Sequence, residues 1–276
     1  MNINKIALLN KNGEIISFFS KDGKKNNFLD STFYPIVFEN YIWDEKKQNK
    51  SAEKYKDQIK RVFYRDKVDD KVKVMLQDDI KRLDLIKKFD YGKNVLEVGC
   101  SDGSASIKIA EIPEVKKVFG IDIRKSAIDD GRKLIKDLIK RKEISKEIAR
   151  KVRLENYTVE NFPLKFGKFD SVCAYEIFEH MAPQDMLPAF QHLYRFIKKN
   201  GKFFISVPNR FPDIKYDKLG RTRWKWFDHR NFFSKSSLNN FLSSFFEEVK
   251  FYSLYSNEKP EESIYLICEC KGKKYE

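Results

Sequence analysis

Cysteine, histidine and tryptophan are scarce in this 276-residue chain, at four, three and three. The four cysteines, Cys100, Cys173, Cys268 and Cys270, show no framework spacing, which excludes a disulfide-stapled secreted scaffold and fits a reducing cytoplasm. Long apolar runs are missing as well: none approaches the roughly 18 residues a membrane-spanning helix needs. The apolar stretch near Met1 is too short for a secretory signal and has no small-residue cleavage site after it, so neither export nor a membrane partner is expected. Internal repeats and low-complexity linkers are also lacking. What remains is ample for a core, with 41% hydrophobic and 14% aromatic residues, so wholesale disorder is excluded. The length suits one large domain, or one domain with a modest extension.

Acidic residues are outnumbered, 41 against 55 basic, leaving a net charge of +14. Only 13 of those 55 cations are Arg, the residue that grips phosphates and reads bases in a bidentate way. The Lys-heavy excess accompanies abundant Asn, Ile, Phe and Tyr, the residues favoured by an AT-rich genome. Charge alone therefore argues weakly for a nucleic-acid partner. The stretch Arg124–Arg153, with 12 basic and 5 acidic residues, reads as the solvated face of two helices.

Two sections are expected: an N-terminal extension over 1–89 and a main domain over 90–276. In the extension, Ile6–Leu9 and Ile15–Phe19 flank Asn12-Gly13, a hairpin-turn dipeptide. Apolar residues at three- and four-residue steps then predict helices over 51–89. From residue 93 strands and helices alternate. Strands are expected at Asn94–Val98, Val115–Ile123, Lys151–Tyr157, Phe169–Tyr175 and Lys202–Val207, with a terminal hairpin of Glu248–Leu254 and Ser263–Cys270. Helices are expected at Ser104–Glu111, Ser126–Lys140, Asp185–Lys198 and near Ser236–Ser244. That alternation predicts an α/β fold with a largely parallel sheet covered on both faces, whose ligand site lies at the carboxyl ends of the strands.

The segment Val95-Leu96-Glu97-Val98-Gly99-Cys100-Ser101-Asp102-Gly103-Ser104 is a buried strand, a turn of small residues and a helix start. Gly99 and Gly103 permit close backbone approach to a ligand, and Glu97 can fix a cationic or hydroxylated group. A second acid, Asp122, ends the next strand 25 residues after Glu97, where it can bind both hydroxyls of a ribose. The pattern resembles the class I S-adenosylmethionine-dependent methyltransferases. Glu97, Gly99 and Gly103 match that family's glycine motif, while Ser101 replaces its middle glycine. Phe169-Asp170-Ser171-Val172, Tyr175 to His180 and Ile197 to Lys202 extend the likeness over residues 93–271. The resemblance implies a Rossmann-like, seven-stranded sheet with an antiparallel last strand. It also implies S-adenosyl-L-methionine held by Glu97, Gly99, Cys100, Ser101, Gly103, Asp122, Ile123, Thr158, Val159 and Glu176. Thr158 stands where the family places an acid near the adenine.

Methyl transfer needs an in-line nucleophile and often a base or a metal to ionise it. Glu176, Glu179 and His180 form a Glu-x-x-Glu-His run after the fourth strand, and helical spacing would bring the three side chains together. With His229 they can hold Mg²⁺ or Mn²⁺ against two substrate oxygens. Without a metal, His180 serves as the general base, with Glu179 and His229 the other catalytic candidates. The run resembles ubiquinone-type O-methyltransferases and small-RNA 3′-terminal 2′-O-methyltransferases. Arg221, Arg223, Trp224, Trp226 and Arg230 interleave cations and aromatics beyond the fifth strand, where the family covers its substrate, and suit an anionic acceptor. The alternative is that these aromatics pack a cover onto the core. His192 reads as structural. The expected activity is O-methylation of a small anionic or sugar-type metabolite, such as a surface-polysaccharide precursor. RNA is the second acceptor class, and an inactive cofactor-binding scaffold is the non-enzymatic alternative.

Overall fold

The computed structural model describes residues 5–9, 15–20, 25–26, 36–38 and 77–276, the last range without 182, 210–230, 232, 258, 261–262 and 276. At the N-terminus, β1 (Lys5–Leu9), β2 (Ile15–Ser20), β3 (Lys25–Asn26) and β4 (Ile36–Phe38) form a sheet in the order β3-β2-β1-β4. β1 and β2 pair antiparallel with Ala7 opposite Phe18, the hairpin expected on either side of Asn12-Gly13. Of the helices expected over 51–89, α1 (Gln77–Ile86) falls within the described residues. Its Ile86 is fully buried beside Phe89 and Tyr91.

The main sheet has seven strands: β5 (Asn94–Val98), β6 (Lys117–Asp122), β7 (Val152–Asn156), β8 (Phe169–Tyr175), β9 (Ile197–Pro208), β10 (Phe246–Tyr252) and β11 (Tyr265–Lys273). Their order is β10-β11-β9-β8-β5-β6-β7. β5 to β9 are mutually parallel, and β11 inserts antiparallel between β9 and β10. The connecting helices are α2 (Ser104–Ala110), α3 (Lys125–Lys140), α4 (Lys146–Lys151), α5 (Pro183–Tyr194) and α6 (Lys235–Ser243). Side-chain alternation along β8 divides the core. Val172 and Ala174 join Phe190, Leu193, Leu238 and Leu242 on one face, whereas Cys173 and Tyr175 join Ile86, Phe89, Tyr91 and Ile109 on the other. Helices thus cover both faces, as a buried parallel sheet requires.

The largest boundary difference from the sequence reading lies before β9. The helix expected over Asp185–Lys198 stops at Tyr194, and β9 already begins at Ile197. Phe196 and Ile197 are buried to within 1%, and Ile197 pairs with Phe169, so burial and pairing override the helical preference of the following lysines. Asn200-Gly201 lies within β9, where the register slips between Phe169↔Ile197 and Ser171↔Lys202.

From β5 the chain steps outward to β6 and β7, then returns to β8 on the other side of β5. The reversal opens a crevice at the carboxyl ends of β5 and β8, where ligands bind in sheets of this kind.

Candidate active site

β5 delivers Gly99 into that crevice with φ +67°. A Cβ there would fall 1.7 Å from Cδ1 of Ile177, so the loop after β5 and the turn after β8 already touch. The Gly103 N–H closes the loop on the Cys100 carbonyl at 2.8 Å before α2 starts. α3 rests on the same loop through Gly131, where a Cβ would stand 2.5 Å from the Asp102 carbonyl oxygen. Ser101, where the family pattern has its middle glycine, adopts a left-handed φ of 51°. For an L-residue that conformation costs roughly 1–2 kcal/mol, the physical reason for glycine at this point.

Asp122, at the end of β6, is 5% exposed. Its Oδ2 accepts the Ser101 N–H at 2.8 Å, and its Oδ1 accepts the Arg124 N–H at 2.8 Å. The side-chain amide of Asn156, on β7, donates to the carbonyls of Asp122 and Ile123, both at 2.8 Å, and so fixes the tip of β6. Ile123 is 70% exposed beside it, an apolar side chain facing solvent at the rim of the crevice. Thr158 turns inward on its own loop, its hydroxyl accepting the Asn161 N–H at 3.2 Å, and the neighbouring Val159 is buried.

Glu97 lies buried below the loop, and the Ser106 hydroxyl donates to its carboxylate. Burial pushes its pKa up to about 8; the Ser106 hydrogen bond opposes the shift, and the carboxylates of Asp102 and Asp122 add to it. Between the ordinary value of 4.5 and about 8, the folded chain therefore holds a proton that the unfolded chain releases. The contribution of Glu97 to stability is full below that window and declines as pH rises through it. Melting curves from pH 5 to 9 should show this decline in the wild type and a shallower one in Glu97→Gln. Equal slopes in the two proteins would refute it.

The turn after β8 carries the acid–imidazole run. Glu176 has a left-handed φ of 56°, and residues 176–180 form a bend and a turn instead of the helix that would align the three side chains. Glu176 Oε1 accepts from the Ser206 hydroxyl at 2.7 Å. Arg82 reaches the same oxygen at 3.8 Å from α1 while stacking over the Tyr265 ring. Glu179 is 1% exposed, and neither of its carboxylate oxygens finds a hydrogen-bond partner among the described residues. Burial, reinforced by the nearby Glu176 carboxylate, holds Glu179 well above the usual carboxylate range. Its Oε1 lies 3.8 Å from Nε2 of the half-buried His180. Asn231 clamps the turn from beyond: its backbone N–H bonds the Glu179 carbonyl, and its amide donates to the carbonyls of Phe178 and Met181 at 2.7 and 2.8 Å.

The structure thus gathers Glu97, Gly99, Cys100, Ser101, Gly103, Asp122 and Ile123 at the ends of β5 and β6, with Glu176, Glu179 and His180 at the end of β8. It does not bring Glu176, Glu179 and His180 together as a metal centre. Among the described residues no group of three or more His, Cys, Asp or Glu side chains is arranged to hold an ion. His229, Arg221, Arg223, Trp224, Trp226 and Arg230 lie outside the described residues. His192, read as structural, donates from Nε2 to the Phe162 carbonyl at 3.0 Å. Arg82, Asn156, Ser206 and Asn231 were not singled out in the sequence. No helix of the described residues is long and apolar enough to cross a membrane.

The glycine turn, the second-strand acid and this sheet order together define a class I methyltransferase architecture. A family profile described as a methyltransferase domain matches residues 64–245, and the chain belongs to that family. Its fold resembles magnesium protoporphyrin IX methyltransferase from Synechocystis PCC 6803 with bound S-adenosylhomocysteine (TM-score 0.58, 14% identity, 82% of this chain and 98% of that one). It also resembles the methyltransferase domain of bacterial CtHen1-C (TM-score 0.55, 17% identity, 70% of this chain and 98% of that one). In sequence it is 26% identical over 115 residues to the O-methyltransferase resE of Aspergillus sclerotiorum, covering 42% of this chain and 39% of resE. The chain spans about two fifths of the length of the curated relatives it matches. The chain therefore carries a methyltransferase domain.

Proposed function

We propose that this methyltransferase acts on an oxygen nucleophile of a small anionic or sugar-type acceptor. The observation that carries the reading is the buried Glu179 beside His180, at the end of the strand that faces the glycine loop. The turn from Gly99 to Gly103 would hold the cofactor through its backbone, with Asp122 holding its ribose hydroxyls and Ile123 supporting its adenine. When bound, S-adenosylmethionine supplies an electrophilic methyl group on a sulfonium. His180, partly open to solvent, takes the proton from the acceptor hydroxyl, and the positive charge then on the ring draws the adjacent Glu179 carboxyl into its ionised form, its proton passing to solvent, so that it serves as counter-ion. Asn231 keeps the turn from unwinding as the ring changes charge. Glu176, tied to Ser206 and near Arg82, shapes the wall toward the cofactor.

A small acceptor is favoured over a polyanion because three of the exposed cations of α3 and its surroundings have acidic partners. Lys125 pairs with Asp129 at 2.6 Å, Lys133 with Asp130 at 3.5 Å, and Arg153 with Glu155 at 2.9 Å. They do not amount to an uncompensated track for a phosphate backbone. The second reading, 2′-O-methylation of an RNA 3′ end, is favoured by the Glu-x-x-Glu-His run together with the CtHen1-type fold likeness. No step here runs through a metal, which belongs with that second reading. Supplying methyl-labelled S-adenosylmethionine with fractionated metabolites and small RNAs separates the two. Label is expected in the small polar metabolites. Label confined to RNA termini would replace the first reading by the second, and no label in any fraction would favour a non-enzymatic scaffold.

A further inference from the structure

Two observations at the ribose acid belong together: the departure from glycine at Ser101, and the path of the Arg124 side chain. Arg124 folds back across the gap between β5 and β6. Its Nε lies 3.4 Å from Asp122 Oδ1, and its Nη2 donates to the Ser101 hydroxyl at 3.0 Å. Asp122 Oδ1 thus receives both the backbone N–H and the Nε of Arg124, while Oδ2 receives the Ser101 N–H. Each carboxylate oxygen offers about two lone-pair positions. One is left on Oδ2, whereas a vicinal diol needs two.

We propose that Arg124 is an internal occupant of the ribose subsite, a side chain that the hydroxyls of the bound adenosine must displace, with Ser101 as its second anchor. This rests on the cofactor reading given above. The guanidinium imitates the diol: two donors, one toward Asp122 and one toward the glycine loop. Its side chain is 45% exposed, so solvent competes for the same bonds and the ligand can displace it at little cost. The serine that replaces the middle glycine has a use on this account, since glycine would leave Nη2 without that acceptor. Arg124 then moderates cofactor affinity and favours ligands that carry both ribose hydroxyls.

Calorimetry with S-adenosylhomocysteine tests this without interference from repulsion between Arg124 and a sulfonium. Arg124→Ala should tighten binding about three- to fivefold, and Ser101→Gly by a smaller factor. The double variant should bind no more tightly than Arg124→Ala, because both changes break one linkage. The 2′,3′-dideoxy analogue, which displaces nothing, should gain no affinity from Arg124→Ala. Arg124→Met, which keeps an unbranched stem but removes every donor, should follow Arg124→Ala and guards against a folding defect. Weaker or unchanged binding of S-adenosylhomocysteine by both variants, additive effects, or equal tightening of the dideoxy analogue would overturn the proposal. A wild-type protein that binds no S-adenosylhomocysteine would instead overturn the cofactor reading beneath it.

Discussion

Gly99→Val should raise the dissociation constant for S-adenosylmethionine by about two orders of magnitude, roughly 3 kcal/mol. Two causes act together. The backbone at residue 99 has φ +67°, which a β-branched residue adopts only under strain. Its first side-chain atom would lie 1.7 Å from Ile177 Cδ1 and 2.5 Å from Cγ1. To escape, either the glycine loop lifts or Ile177 moves, and Ile177 sits between Glu176 and the Glu179–His180 pair. The two halves of the crevice therefore separate. Gly99→Ala should show a milder form of the same loss, and adding Ile177→Ala should recover the part due to the clash but not the part due to the backbone. Asp122→Ala combined with Gly99→Val should leave no binding measurable by calorimetry, in a protein whose far-ultraviolet circular dichroism is retained. Undiminished binding in that double variant would sink the assignment of this crevice as the cofactor site.

The contrast between what local pattern reveals and what it hides follows from the range of the interactions. β5 and β8 are legible because parallel strands buried on both faces are nearly continuous apolar runs, and Gly99 and Asp122 because each ends such a run. The boundary at Ile197 is not legible: Lys198-Lys199-Asn200-Gly201 looks like a helix terminus, and only pairing with Phe169 shows otherwise. Arg82 escapes notice for the same reason, its bond to Ser206 spanning 124 residues of chain. Asn156 and Asn231 act across 34 and 53 residues, and a lone Asn near an element end is among the commonest features of any sequence. The Glu-x-x-Glu-His run was visible as chemistry but not as geometry. A left-handed Glu176 breaks the helical spacing on which convergence of its side chains depends.

Glu179→Gln should move activity and stability in opposite directions. The wild-type carboxyl is 1% exposed, lacks a hydrogen-bond partner among the described residues, and is held above its usual range by burial and by Glu176. Folding must therefore keep it protonated or bury its charge, and this contribution to stability falls as pH rises above the ordinary carboxylate value of 4.5. Glutamine keeps the shape and removes the ionisable group, so the variant should melt at a higher temperature near pH 8 and lose part of the wild-type pH dependence. Methyl transfer to the acceptor found by labelling should nevertheless fall about a hundredfold, the scale of a general-base contribution, because His180 loses its counter-ion. Cofactor affinity should change little. A residue retained only for packing would not give that combination, since buried sites that weaken the fold are kept where chemistry needs them. Transfer by the wild type should persist in a strong chelator. If it collapses there and returns with Mg²⁺ or Mn²⁺, the base mechanism is wrong. Glu176, Glu179, His180 and His229 would then become the ligands to examine, with His229→Ala expected to abolish transfer while still binding the cofactor.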